Sequence, residues 1–181
     1  MNTNDILKVD FPNINFPKTG ATAYLTIPKE HATDDIYNIG RKYEEDLLII
    51  LQQPQYIFKD TPRWSEIDFI CETYKTNLFI ELKTRNFKIT DFNTTIITES
   101  KIRYYQSLNK LNENKQNRLI LIFAFIPSDN NKKIRDYYYI KYEPQLFKQL
   151  ERKIIFNKTN IEIPIDYLKP IADFAEYIKK Y

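Results

Sequence analysis

Apolar and polar positions along the chain change period several times, and each change predicts an element. From Ile36 to about Gln53, Ile36, Ile39, Tyr43, Leu47 and Ile50 recur at helical spacing; Asp34 or Asp35 is placed to cap this helix and Pro54 to end it. "QYIFKDTPRW" reads as a short strand and a turn around Pro62. "SEIDFICE" and "NLFIELKT" alternate with period two across the short "TYKTN", which predicts an antiparallel hairpin. Ile67, Phe69 and Cys71 are expected on one face of its first strand, with Asp68 and Ile70 on the other. On the second strand Leu78, Ile80 and Leu82 share one face, and Phe79, Glu81 and Lys83 the other. "TESKIRYYQSLNKL" predicts a helix capped by Thr98, with Tyr104, Leu108 and Leu111 in one stripe. "RLILIFAFI" is a nearly unbroken apolar run, as in a strand covered on both faces. "DYYYIKY" predicts a further strand, and Glu143–Lys153 a helix with Pro144 in its first turn. "NIEIPI" reads as an edge strand, since Pro164 cannot donate to a ladder; the last helix is expected to bury Ile171, Phe174, Ala175 and Ile178.

The order implies an α/β fold. Its αβββαβ core has a central mixed sheet flanked by helices, and a strand and a C-terminal αβα extension follow. No repeat or low-complexity linker divides the chain, so 1–181 reads as a single domain. Within it, 1–35 form an N-terminal arm, 36–126 the core and 127–181 the extension.

Composition narrows the chemistry. With 2 Gly, the chain has no GxGxxG or GxxxxGK[ST], so glycine-built phosphate cradles are excluded. One Cys and one His exclude thiolate/imidazole zinc sites, HExxH proteases and disulfide scaffolds. Cys71 alternates with Ile67 and Phe69 and is expected to pack as a small hydrophobe, while His31 in "KEHATDD" is assigned no role. The opening residues lack a basic leader with an apolar core, and no apolar run is long enough to span a bilayer. The expectation is an intracellular, reduced protein with no membrane partner. Net charge is +3 but uneven, since residues 83–118 carry eight Lys/Arg against three Asp/Glu. That basic stretch begins at Lys83 and fits either a solvated face or a phosphate-binding surface.

Asp68 and Glu81 fall on paired strands and can share a face, with Lys83 two residues beyond Glu81 on the same side. Glu44 has Leu47, Leu48 and Leu51 at i+3, i+4 and i+7, which places it on the inward stripe of the first helix. Neighbouring buried carboxylates are costly unless a cation joins them. Two hard oxygen donors at strand ends suit Mg²⁺, which keeps several waters and takes further ligands from a phosphate. A lysine alongside can orient an attacking water and offset charge on phosphoryl oxygens. Taken alone, an ExK at a strand end is more often structural; Asp68 and Glu44 are what raise it above that.

"GRKYEEDLLIILQ", "SEIDFICE" and "FIELKTR" together resemble the PD-(D/E)XK nuclease superfamily, the restriction-endonuclease-like fold, over about residues 38–126. The Gly40/Glu44 spacing is most similar to archaeal-type Holliday junction resolvases. The resemblance implies that Asp68, Glu81 and the Leu82 backbone carbonyl are metal ligands. It also implies that Lys83 is the catalytic lysine and that Glu44 binds metal directly or through water. Ile67 stands where the namesake proline would be, and Gln106 is followed by Lys110 rather than the Tyr of a QxxxY motif, which disfavours the RecB-type branch. Glu66 and Glu72 share the strand face of Asp68 as rival acids. The implied activity is Mg²⁺-dependent hydrolysis of DNA phosphodiesters, with Mn²⁺ substituting and a homodimer in the junction-resolving case. Arg85, Lys88, Lys101, Arg103 and Lys110 are the expected phosphate contacts. Arg63 and Trp64, before Asp68, are placed to enter a groove or simply to pack. The alternative is a catalytically silent nucleic-acid-binding protein on the same fold.

Overall fold

A computed structural model describes residues 34–52, 56–61, 65–73, 75–111, 115–129 and 135–179. Residues 1–33 of the expected N-terminal arm, His31, Arg63 and Trp64 lie outside the described residues, and Asp34 and Asp35, expected in the arm or as a cap, are the first residues of a helix. The elements run α1 (Asp34–Leu51), β1 (Phe58–Asp60), β2 (Phe69–Glu72), β3 (Thr76–Thr84), β4 (Thr94–Thr98) and α2 (Glu99–Leu111). They continue with β5 (Gln116–Phe125), β6 (Asp136–Lys141), α3 (Pro144–Gln149), β7 (Arg152–Ile155), β8 (Lys158–Pro164), β9 (Lys169–Pro170) and α4 (Phe174–Ile178).

Six strands form a mixed sheet in the order β1-β2-β3-β5-β6-β9, in which β3 and β5 are parallel and the other pairs antiparallel. A parallel pair requires a crossover, and the segment carrying β4 and α2 supplies it. Leu119–Phe125 of β5 are fully enclosed, as their unbroken apolar run requires. Alternation divides the two faces. Leu78, Ile80, Leu82, Ile120, Ile122 and Ala124 pack with Tyr43, Leu47 and Leu51 of α1 and with Phe174 and Ile178 of α4. Phe79, Leu119, Leu121, Phe123 and Phe125 pack instead with Ile102, Tyr105 and Leu108 of α2. Leucine or isoleucine side chains of this kind contribute roughly 1.5–3 kcal/mol each when enclosed, so both faces are strongly held.

A second, three-stranded sheet, β4-β8-β7, covers the α2 side and delivers Ile97, Ile161 and Ile163 to that core. It departs from the sequence expectation in three ways. The helix expected over Glu143–Lys153 stops at Gln149, and Arg152–Ile155 form β7. β8 is the centre of its sheet rather than an edge, because Pro164 sits at its last position, opposite Thr94, where the missing N–H costs little. β4, in "TTIIT", carries only a short alternation and was not anticipated. On α1 the buried stripe is Tyr43–Leu47–Leu51, while Ile50 is 46% exposed. On α2 Ile102, Tyr105 and Leu108 are buried; Leu108 lies on the expected stripe, and Tyr104 packs half-buried against the same core. At the C-terminus Phe174 and Ile178 are buried, whereas Ile171 and Ala175 are half-buried. Cys71 packs in the α1 core, and burial pushes its thiol up to about 11, as befits an inert hydrophobe.

Candidate active site

The strand alternation fails at one place, and that place carries an acid. Phe69 and Cys71 face the α1 core, but Ile67 lies in the α2 core with Ile70 instead of joining them. The cause is a local doubling of the backbone. Phe69 is paired with Ile80, yet the Asp68 N–H also donates to the Ile80 carbonyl at 2.9 Å, so two residues stand against one as in a β-bulge. The Thr61 N–H donates to the Asp68 carbonyl at 3.0 Å and pins the distorted segment from its other side. The Asp68 side chain then turns across the end of β3 and accepts the Leu82 N–H on Oδ2 at 2.6 Å. In an extended strand the carbonyl of a residue projects toward the same edge as its N–H, so the Leu82 carbonyl faces the Asp68 side.

Glu81 lies on the α2 face of β3 with no exposed side-chain surface. Its Oε1 is ion-paired with Lys83 Nζ at 2.5 Å and with Lys101 Nζ, from the first turns of α2, at 3.0 Å. Lys101 Nζ also donates to the Glu66 carbonyl at 2.9 Å. Glu81 Oε2 is enclosed and has no hydrogen-bond partner among the described residues. Leaving a charged oxygen so placed costs on the order of 1–3 kcal/mol or more, which a purely structural ion pair would avoid. Burial, and next the nearby Glu81 charge, raise Asp68 from 3.8 to about 7, against the opposing pull of Lys83, the Leu82 N–H and Lys101. Burial alone would lower the Lys83 ammonium, but the Glu81 and Asp68 charges outweigh it and the net direction is upward. The centre thus holds an Asp68 carboxyl whose ionisation the neighbouring Glu81 charge opposes, with two ammoniums beside them.

These donors suit a hard divalent cation. Two carboxyl groups, one with a buried unpartnered oxygen, and a backbone carbonyl on the same edge leave room for waters or phosphate oxygens. Among the described residues no group of three or more His, Cys, Asp or Glu is drawn together tightly enough to hold a metal ion. Glu44 is half-buried on α1, whose stripe packs on the Leu82 face, whereas Glu81 and Lys83 point to the α2 face. The structure therefore brings Asp68, Glu81 and Lys83 together and leaves Glu44 outside their group. Of the rival acids, Glu72 is ion-paired with Lys115 at 3.7 Å, and Glu66 offers the site its backbone carbonyl.

The expected phosphate contacts divide. Lys101 turns inward to Glu81. Arg85 is spent on the protein: Nε donates to Thr95 Oγ1 at 2.8 Å, Nη1 to the Thr84 carbonyl at 3.2 Å, and Nη2 to the Ile96 carbonyl. Its guanidinium also lies over the Phe123 ring, 5.3 Å from the centroid, and burial lowers it to about 10. Lys88 Nζ donates to the Ser128 carbonyl at 3.0 Å. Arg103 stands in solvent, 73% exposed, in an i,i+4 pair with Glu99 at 2.7 Å. Lys110, also exposed, borders a 490 Å³ hollow with Arg118 and Lys141. The inward role of Lys101 was missed from sequence, although its position three and four residues before Tyr104 and Tyr105 marks it as sharing the buried side of α2.

No protein-family model matches the chain, and no curated protein matches it. Among solved structures, the chain is similar to Hjc, a Holliday junction resolvase from the archaeal hyperthermophile Archaeoglobus fulgidus. The two share 17% identity and a TM-score of 0.49, over 76% of this chain and 96% of that one. That likeness concerns the course of the backbone only; the chemistry rests on the residues described above.

Proposed function

We propose that this protein is a Mg²⁺-dependent endodeoxyribonuclease that hydrolyses DNA phosphodiester bonds, with Mn²⁺ able to substitute. The observation that carries the reading is the enclosed Glu81 carboxylate, with one oxygen unpartnered, beside an Asp68 carboxyl whose ionisation it opposes. A divalent cation bound there would supply a Lewis acid for the phosphoryl oxygen and a more acidic water. Asp68, Glu81 and the Leu82 carbonyl would hold it, without Glu44, which lies on the other face of the sheet. Lys83, already on Glu81 Oε1, would orient the attacking water and offset charge building on the phosphoryl oxygens. Arg103 and Lys110 remain available to phosphates on the exposed side of α2.

The direct test is incubation of purified protein with supercoiled, linear and four-way branched DNA in Mg²⁺ or Mn²⁺. Cutting that chelator stops, and that Asp68→Ala and Lys83→Ala each abolish without loss of fold, supports the reading. Intact DNA under all these conditions overturns it. Comparing junction, duplex and single-stranded substrates then separates restriction-type, junction-resolving and repair or phage-type activity, and an RNA arm tests the choice of sugar. A homodimer is part of the junction-resolving version, and sedimentation checks it. A second reading, a silent nucleic-acid-binding protein on the same scaffold, is favoured by Glu44 standing apart from the acid pair. It requires salt-dependent DNA binding without cleavage.

A further inference from the structure

Resting on the metal reading above, the arrangement of ammoniums around Glu81 has its own implication. Lys83 and Lys101 approach the same oxygen, Glu81 Oε1, at 2.5 and 3.0 Å, while Oε2 has no partner. With both carboxyl groups ionised, as a metal requires, two ammoniums already balance them, so a divalent cation entering the same space adds charge to a neutral centre. Repulsion between that cation and two cationic neighbours a few ångströms away, in a site shielded from water, is strong. One ammonium must withdraw. Lys83 is tied to Glu81 by the strand they share, two residues apart on one face, and it also faces Asp68. Lys101 comes from another element on a long unbranched side chain, and its second partner, the Glu66 carbonyl, is a neutral acceptor indifferent to metal.

We propose that Lys101 is a resident counter-ion that a divalent metal must displace from Glu81, so that metal loading releases this α2 lysine toward the substrate phosphate. It is a positioning residue for the empty centre and becomes a phosphate contact in the loaded one. With both carboxylates ionised, exchanging one ammonium for the divalent ion takes the centre from neutral to a single positive charge, which attracts the phosphodiester anion.

The test measures metal binding to the full chain without substrate. Mn²⁺ is titrated calorimetrically, and by the loss of its free EPR signal, into wild type and Lys101→Met. The expected result is about 10-fold or greater tightening in the variant, because a like charge has been removed from beside the ion. Equal or weaker binding by Lys101→Met overturns the displacement and leaves the metal reading standing. No Mn²⁺ binding by either protein overturns both. Should Lys101→Met fail to fold, lysine ¹³Cε labelling of wild type reads the same event, with the Lys101 signal assigned from Lys101→Arg. That signal is expected to move toward the position of a solvated lysine as Mg²⁺ saturates. An unmoved Lys101 signal at saturation overturns the proposal.

Discussion

β3 and the residue after it carry two enclosed charges that the fold treats in opposite ways. Arg85 has acceptors around its whole guanidinium, two carbonyls and a hydroxyl, with an aromatic ring beneath. Glu81, four residues earlier, is more deeply enclosed, yet one of its oxygens is left bare and the other crowded by two ammoniums. A charge hydrogen-bonded through each of its nitrogens serves the architecture, since the bonds offset its desolvation. A charge left short of partners holds energy that only a further ligand can recover. The contrast separates a clip, Arg85 fastening β4 to the end of β3, from a centre that is incomplete without something else.

The sharpest way to break this contrast is to neutralise each charge in turn. On the proposed nuclease reading, Glu81→Gln is expected to reduce DNA cleavage by about 10³-fold or more, since it would remove a ligand charge from the proposed metal centre. Its melting temperature should move by only a few degrees, because Oε2 has no partner to lose, the amide oxygen still accepts from the lysines, and Lys101 keeps the Glu66 carbonyl. Arg85→Met should do the reverse. Stranding the Thr84 and Ile96 carbonyls costs about 3 kcal/mol, roughly 6–12 °C in a chain of this size, while Mn²⁺ affinity stays near wild type. Calorimetric melting and metal titration of both variants decide the matter, and a large stability loss in Glu81→Gln would erase the distinction.

A smaller effect sharpens it. With Asp68 raised from 3.8 to about 7, its proton is held more tightly in the folded than in the unfolded chain. For the metal-free protein that contribution to stability is complete below about pH 4 and is lost as pH climbs through about 7. A divalent ion needs the ionised carboxylate, so the rise in melting temperature on adding Mg²⁺ should grow between about pH 6 and 8. A metal-induced rise that shrinks over this interval would remove Asp68 from the ligand set.

Much of this centre could be read from the chain. Period-two alternation fixes Glu81 and Lys83 on one face once the strand is recognised, and the short link to "SEIDFICE" brings Asp68 to its side. The bulge was not legible, because two residues set against Ile80 interrupt the alternation by which faces are assigned, and so Ile67 was placed with Phe69. On α2, adjacent Tyr104 and Tyr105 satisfy a helical stripe equally well in sequence, and Tyr105 is the more buried of the two. Lys101, three residues before Tyr104, was read as a phosphate contact from its charge although its spacing puts it on the buried side. β7 was hidden for a different reason: the β7–β8 turn uses Phe156 and Asn157 with φ of 50° and 60°, where hairpins favour Asn-Gly. A chain with 2 Gly offers few such landmarks.

The small sheet has a consequence for how the molecule comes into being. β4 pairs with β8, Thr94 opposite Pro164 and Thr98 opposite Asn160, and with no other strand among the described residues. Synthesis from the N-terminus therefore leaves β4, which Arg85 grips through Ile96, waiting until more than sixty further residues have emerged. A nascent chain that ends at residue 126 lacks the strand on which β4 pairs. The 158–164 strand is thus a late-arriving part of the framework around the candidate centre, which is assembled only after that strand has emerged.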